Sequence, residues 1–223
     1  MIARPRPVLP RPACMLVTDS TRRHDREAIG ETWLDDVVRD AVLGGINIVQ
    51  LREKQMPLGD LIALGLHVRD AIAGRALFFV NGDIDAVIAL DADGIHLPEL
   101  GPPVDAVRDR LGDRILVSRA VHSPEAAARA ERDGTDFVQA GTVFPSTSHP
   151  GTPTIGLEGL RAICAAVTIP VVAIGAITPD NARDALETGA AGVAVIGAVF
   201  DADDPRHAAS DLRASLGVGA ARL

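Results

Sequence analysis

Five carboxylates and a histidine stand close together in the segment VNGDIDAVIALDADGIHLPEL, residues 80–100. They are Asp83, Asp85, Asp91, Asp93, His96 and Glu99. Carboxylate and imidazole groups at close spacing are ligands for divalent metal ions in proteins. The same residues would also suit a solvated connection between two buried strands. The segment is therefore either a metal site or a structural connection.

Two cations follow an apolar run in the segment QLREK. Arg52 and Lys54 stand at alternate positions, so in an extended chain both side chains project on the same side. Such a pair suits a phosphate or diphosphate. An ion pair between Arg52 and Glu53 is the structural alternative.

Small residues follow two later apolar runs. Gly175 and Ala176 stand in AIGAIT, and Ile196 and Gly197 stand in VIGAV. Small side chains let a ligand approach the backbone, and the amides of helix N-termini bind anions. The two segments together predict a phosphate site.

Two histidines are candidates for proton transfer. His122, in SRAVHS, follows a predicted strand and has a side chain suited to acid–base chemistry, although it would also suit a helix cap. His96, in GIHL, is better explained as a buried structural residue. A hydroxyl-rich segment, residues 144–154, is predicted to bind phosphate or to close over a substrate.

All these candidates follow short apolar runs of the kind that form strands buried on both faces. Segments with helical spacing separate the runs, and eight alternations predict a single-domain α/β protein with a closed (β/α)8 barrel. An open doubly wound sheet is the alternative, but no GxGxxG follows the first run. The runs are CMLVTD (14–19), INIVQL (46–51), ALFFVN (76–81), DGIHL (93–97), RILVSRAV (114–121), DFVQAGTVF (136–144), IPVVAIGAI (169–177) and AGVAVIGAVF (191–200).

Bulk composition narrows the class of partner. The 223 residues carry a formal net charge of −8, which argues against a nucleic-acid partner, and no apolar stretch is long enough to span a membrane. Cys14 and Cys164 lie far apart and predict free thiols in a reducing compartment, so we expect a cytoplasmic location. We expect residues 1–13 to form a disordered or extended leader and residues 14–223 to form the barrel.

Six motifs, in order and at matching separations, resemble the thiamine phosphate synthase/TenI superfamily. They are VQLREK, VNGDIDAVIALDADGIHL, GTVFPSTS, GLEGLRAI, PVVAIGAITPDNA and GAAGVAVIGAVF, and the resemblance runs from about residue 16 to residue 204. This resemblance implies a barrel enzyme that binds a thiazole phosphate. Synthases of the superfamily join a pyrimidine diphosphate to the thiazole phosphate with Mg2+. TenI-type tautomerases aromatise a thiazole carboxylate phosphate by moving a proton, without metal.

Four positions distinguish the two branches. Synthases typically place Mg2+-binding aspartates where this sequence has Gly82 and Gly101, a diphosphate-binding serine where it has Ala120, and a lysine where it has His149. These differences favour the tautomerase branch and a structural reading of the acidic segment. Lys54 favours the synthase branch, because tautomerases commonly lack a lysine at this position.

From this resemblance we expect a thiazole tautomerase in which His122 shuttles the proton from ring C2 to the exocyclic alkene carbon. A divergent thiamine phosphate synthase and a non-catalytic thiazole-phosphate-binding protein are the alternatives. We expect no cofactor, with Mg2+ required only by the synthase alternative, and leave open whether the chain forms a homo-oligomer. The expected substrate-binding residues are Arg52, Lys54, Asn81, Thr142, Ser146, Ser148, Gly175, Ala176, Ile196 and Gly197.

Overall fold

A computed structural model describes residues 5–22, 33–145, 151 and 153–217. In this part of the chain eight parallel strands pair in sequence order, and β8 returns to β1 to close a barrel. The predicted (β/α)8 fold is confirmed, and the open sheet is wrong. The strands are β1 (Ala13–Val17), β2 (Ile48–Leu51), β3 (Leu77–Asn81), β4 (Gly94–Leu97), β5 (Leu116–Val121), β6 (Phe137–Ala140), β7 (Val171–Ile174) and β8 (Gly192–Val195).

Helices follow the strands and cover the outside of the barrel. None of those in the described residues is both long and apolar enough to cross a membrane. They are α1 (Trp33–Gly44), α2 (Leu58–Ile72), α3 (Ile84–Ala89), α4 (Val104–Leu111), α5 (Pro124–Arg132), α6 (Gly156–Ala166), α7 (Ala182–Glu187), α8 (Gly197–Phe200) and α9 (Pro205–Ser215), with a 3-10 turn at Ser20–Arg22.

Side chains alternate between two cores because successive strand residues point to opposite faces. In β1, Met15 joins the cluster inside the barrel, whereas Leu16 joins the larger core between strands and helices. Inside the barrel, Phe79 and Phe137 meet edge to face with their ring centroids 5.6 Å apart. Gly94 makes room for Phe79, since a Cβ there would lie 2.3 Å from its Cε1 atom. The glycine is required by packing on the inner face of the sheet.

Two helices have a Ser/Thr-Pro start signal, and only one of them begins there. The Ser123 hydroxyl caps α5 by accepting the Ala126 N–H, and Pro124 is the first helical residue. Thr178 and Pro179 predict a similar start for α7, but that helix begins at Ala182. The Asn181 side chain accepts the Thr178 N–H at 2.9 Å, which makes a separate turn and delays the helix.

The chain before β1 forms no helix or strand over residues 5–12, and residues 1–4 lie outside the described part. Leu9 packs against the cluster inside the barrel. The Pro12 carbonyl accepts hydrogen bonds from Asn47 and Arg213 at 3.0 and 3.2 Å. This segment thus contacts the barrel, and the division at residue 13 stays a prediction.

Candidate active site

A cavity of about 1120 Å³ opens at the carboxyl ends of the strands, the face that carries the active site in barrels of this type. The sequence placed eleven candidate residues there. Ser146 and Ser148 lie outside the described residues. The remaining nine line the cavity: Arg52, Lys54, Asn81, His122, Thr142, Gly175, Ala176, Ile196 and Gly197. The structure brings these residues together, and their individual roles stay predictions.

The cationic sector follows β2. Glu53 ties this loop to the loop after β1, since it accepts hydrogen bonds from the Thr18 hydroxyl at 2.6 Å and from the Ser20 N–H at 3.0 Å. The Arg52 N–H donates to the Thr18 hydroxyl oxygen at 2.9 Å. Glu53 therefore holds the loop that presents Arg52 and Lys54.

A second sector is formed by the loops after β7 and β8, and its backbone lets the loop after β6 pack closely against it. Gly175 has φ +114°, and a Cβ there would lie 2.5 Å from Thr142 Cγ2 and 2.7 Å from Val143 N. The Val143 N–H donates to the Ile174 carbonyl at 3.0 Å, so the loops after β6 and β7 are joined at this point. A side chain at residue 175 would break that contact, which explains the glycine.

Arg22 adds a cation to the same sector that sequence reasoning missed. Its Nη1 lies 2.6 Å from Asp201 Oδ2, and its Nε lies 3.6 Å from Asp19 Oδ2. All three residues line the cavity. The pairings connect the loop after β1 with the end of α8.

Two glutamines form part of the cavity floor. Gln50 lies across the barrel from Gln139, and the Gln139 Nε2 donates to Gln50 Oε1 at 2.6 Å. Both side chains are buried and line the cavity. A glutamine inside each of two otherwise apolar runs was the sequence signal that could have found them.

His96 is buried, as expected, but it also lines the cavity. Its Nδ1 lies 2.9 Å from the Ser118 hydroxyl oxygen. Burial, and next the charges of Arg52 and Arg119, lower the pKa of His96 from 6.5 to about 3. The cavity wall therefore holds a neutral imidazole at physiological pH.

His122 stands just after β5 and is paired with Glu99. Its Nδ1 lies 2.7 Å from Glu99 Oε2, and the imidazole side chain is 59% exposed. Ser123, rather than His122, caps α5, so the helix-cap explanation for His122 is wrong. Sequence reasoning selected the histidine and missed its carboxylate partner.

The aspartates of segment 80–100 have structural partners. Asp83 accepts the Ala86 N–H and caps α3, and Asp93 accepts the Phe78 N–H at the start of β4. Asp85 and Asp91 form exposed ion pairs with Arg110 and Arg114. These contacts support the structural alternative for the segment.

Mg2+ does not fit the donor set at the mouth of β3 and β4. The side chains that line the cavity there are Asn81, His96 and Pro98, whereas Mg2+ is usually bound through one or two carboxylates. Gly82 and Gly101 stand where the resemblance places those carboxylates. Within the described ranges, no cluster of three or more His, Cys, Asp or Glu side chains is arranged to hold a metal ion.

Comparison with known proteins identifies the family. The profile of the TMP-TENI family, described as thiamine monophosphate synthase, matches residues 14–199. The chain belongs to this family. A relative from Pyrococcus furiosus named thiamine-phosphate synthase is 41% identical over 177 residues, covering 79% of this chain and 85% of the relative. Another with that name, from Moorella thermoacetica, is 43% identical over 181 residues, covering 80% of this chain and 86% of the relative.

One solved structure agrees with this membership, and a more distant one shows the same fold. A thiamine phosphate pyrophosphorylase from Pyrococcus furiosus superposes on this chain with a TM-score of 0.80 at 37% identity. The match covers 92% of this chain and 95% of the Pyrococcus chain. A 3-hexulose-6-phosphate synthase superposes with a TM-score of 0.67 at 20% identity, covering 90% and 98%, and shares the fold. Both of the relatives described above carry the synthase name, and neither name points to the tautomerase branch.

Proposed function

We propose that this chain is a thiamine phosphate synthase, a transferase that joins a pyrimidine diphosphate to a thiazole phosphate. Support comes first from the relatives that carry this name at 41 and 43% identity over about four fifths of the chain. The sequence favoured a tautomerase, with a divergent synthase as the alternative; the relatives' names favour the synthase. This assignment makes the chain an enzyme of thiamine biosynthesis whose partners are two small phosphorylated molecules.

The observation that carries the proposal is that two separate groups of residues suited to anions line one cavity. Arg52 and Lys54 follow β2, whereas Gly175 to Ile177 and Ile196 to Ala198 follow β7 and β8. The cavity of about 1120 Å³ is slightly larger than the usual ~300–1000 Å³ of small-molecule sites, so two ligands have room together. Coupling the pyrimidine to the thiazole phosphate, with release of the diphosphate, requires both sectors at once.

Each sector has a distinct task in this reaction. Arg52 and Lys54 bind the diphosphate and stabilise the negative charge that it carries away with the electrons of the breaking bond. The backbone around Gly175 and Gly197 binds the thiazole phosphate and orients the ring. Gln50, Gln139 and neutral His96 lie deeper and offer hydrogen bonds to the rings between the two phosphorylated ends. Because Mg2+ does not fit the donors after β3 and β4, no step is assigned to it.

Thiazole tautomerisation is the second candidate, and two observations favour it. His122 stands at the cavity with a carboxylate partner, and Gly82 and Gly101 occupy the positions of the expected metal ligands. In this reaction His122 would take the ring C2 proton and return it to the exocyclic carbon. The relatives' names give this candidate no support.

Parallel assays on the purified full chain distinguish these reactions. One follows thiamine phosphate formation from both substrates with Mg2+ present; the other follows aromatisation of the thiazole carboxylate phosphate in EDTA. We expect turnover in the first, and Lys54→Gln should raise the KM for the diphosphate about tenfold while leaving the KM for the thiazole phosphate unchanged. Asp211→Asn, in an exposed pair on α9, is the matched control.

Three other outcomes have defined meanings. Aromatisation in EDTA without coupling, abolished by His122→Ala, would establish the tautomerase and overturn the transferase. Thiazole phosphate binding with neither turnover would identify a non-catalytic binding protein. Coupling that is insensitive to Lys54→Gln would preserve the reaction but reject the assigned diphosphate sector.

A further inference from the structure

We propose that Glu99 is a positioning residue that fixes the tautomer and orientation of the His122 imidazole. The inference rests on the proposed function only in taking the cavity after the strands as the reaction site. It concerns how His122 meets a ligand, whichever of the two reactions the ligand undergoes. Glu99 was not among the residues expected to act at the site.

The tautomer follows from the chemistry of the contact. Glu99 Oε2 lies 2.7 Å from His122 Nδ1, and an ionised carboxylate only accepts hydrogen bonds. Nδ1 must therefore carry the hydrogen and donate it. In the neutral ring this leaves Nε2 as the atom with a lone pair, ready to accept a proton or hydrogen bond from a ligand.

The loop that carries Glu99 is held by the strand that carries His122. Arg119, in β5, is buried, and its guanidinium donates to the Pro102 carbonyl at 2.6 Å and to the Glu99 carbonyl at 3.2 Å. The Gly101 N–H donates to the Pro98 carbonyl at 2.9 Å and closes a turn. Because both partners are fixed relative to β5, the Glu99–His122 contact is preorganised.

Another histidine–carboxylate pair shows what an incidental contact looks like in this chain. His207 and Asp211 stand four residues apart on α9, with Nε2 3.5 Å from Oδ2 and with 74% and 53% of the side chains exposed. Glu99 and His122 are 23 residues apart in sequence, their atoms are 0.8 Å closer (3.5 against 2.7 Å), and Glu99 is 30% exposed. The Glu99 pair thus depends on the tertiary structure, whereas the α9 pair needs only one helix.

The test is the 15N NMR spectrum of the full chain labelled at histidine, recorded at pH 8.5, where an ordinary imidazole is neutral. We expect His122 to show a protonated Nδ1 and an unprotonated Nε2. Glu99→Gln should shift a large fraction of the ring to the Nε2–H tautomer, because an amide can donate to Nδ1. Asp211→Asn should leave the His122 signals unchanged. The assignment of the signals comes from the spectrum of His122→Gln.

Kinetics add a readout that a purely structural role would not move. In whichever reaction the wild type catalyses, Glu99→Gln should lower kcat about tenfold, because His122 then presents the wrong ring nitrogen to the ligand, and change KM less than twofold. Glu99→Asp, which keeps a carboxylate, should recover part of the loss. Circular dichroism confirms that each variant folds.

The spectrum decides whether Glu99 fixes the tautomer of His122, and the kinetics decide whether that tautomer matters to catalysis. A wild-type His122 with the Nε2–H tautomer, or an unchanged tautomer in Glu99→Gln, would overturn it. The predicted change of tautomer in a protein that lacks both activities would support the inference while refuting the proposed function. Altered tautomer with unchanged kcat in an active enzyme would show that His122 takes no part in catalysis, and would overturn the positioning role.

Discussion

Replacing His96 by glutamine should remove a large part of the acid sensitivity of this fold. The folded-state pKa of His96 is lowered to about 3 by burial and by two neighbouring arginines, against 6.5 for an ordinary histidine. Between these values the unfolded chain binds a proton that the folded chain excludes. The free energy of unfolding contributed by His96 is therefore fully present above pH 6.5 and is lost as the pH falls towards 3.

The magnitude follows from the difference between the two pKa values. Each pH unit within the window costs up to ~1.4 kcal/mol, so moving from pH 6.5 to 4.5 costs about 3 kcal/mol at this one residue. Domains of this kind are stable by only ~5–15 kcal/mol, and the loss is therefore measurable. Glutamine has no charge to acquire, and its side chain can keep a hydrogen bond with Ser118.

Urea unfolding at pH 7.5 and at pH 4.5 tests this argument. The wild type should lose about 3 kcal/mol more than His96→Gln between the two pH values, because the carboxylates contribute equally to both proteins. His207→Gln, which changes an exposed histidine, should behave as the wild type. Equal losses in the wild type and His96→Gln would refute the reasoning and show that the buried imidazole is protonated without penalty.

Three further substitutions have defined outcomes. Gly175→Ala places a Cβ against Thr142 at φ +114° and should weaken binding of the thiazole phosphate at least about tenfold by calorimetry; wild-type affinity would contradict the assigned phosphate sector. Arg119→Met removes the charged donor that holds the Glu99 and Pro102 carbonyls and should lower the free energy of unfolding by about 2–3 kcal/mol in urea, whereas no change would show that water replaces the guanidinium. Glu53→Gln loosens the contact with Thr18 and Ser20 and should lower the free energy of unfolding by about 1–2 kcal/mol. An unchanged urea midpoint would contradict this prediction.

The barrel could be predicted from sequence because each strand is encoded locally. A run such as INIVQL is apolar on both faces, and the carboxyl end of every such run lies on the same side of a parallel barrel. This rule alone placed Arg52, His122 and Gly175 around one cavity. The ends of the runs were less well defined: VIGAVF was included in the last strand, but α8 begins at Gly197, as small residues fit both conformations.

Partnerships between loops could not be predicted, because they depend on where each loop folds back. Glu99 meets His122 only through the turn that Arg119 holds, and Arg22 reaches Asp201 from the other end of the chain. The contact between Gln50 and Gln139 crosses the barrel. None of these pairs has a periodicity or spacing that a sequence displays.

Single residue positions did not identify the reaction that the relatives' names support. Gly82 and Gly101 argued for the tautomerase, whereas relatives over most of the chain carry synthase names. Lys54 was the one residue that favoured the synthase, and it now stands with Arg52 in a sector of its own. Reactions that share one phosphate site differ in what binds beyond that site, and Arg52 and Lys54 are the residues that we propose bind the diphosphate there.

The most direct measurement is the initial rate of thiamine phosphate formation by the purified full chain, with the pyrimidine diphosphate and the thiazole phosphate varied independently. A cavity with two anion sectors predicts a rate that saturates in each substrate and vanishes when either is omitted. No coupling at any concentration, by folded protein that binds the thiazole phosphate, would contradict the account.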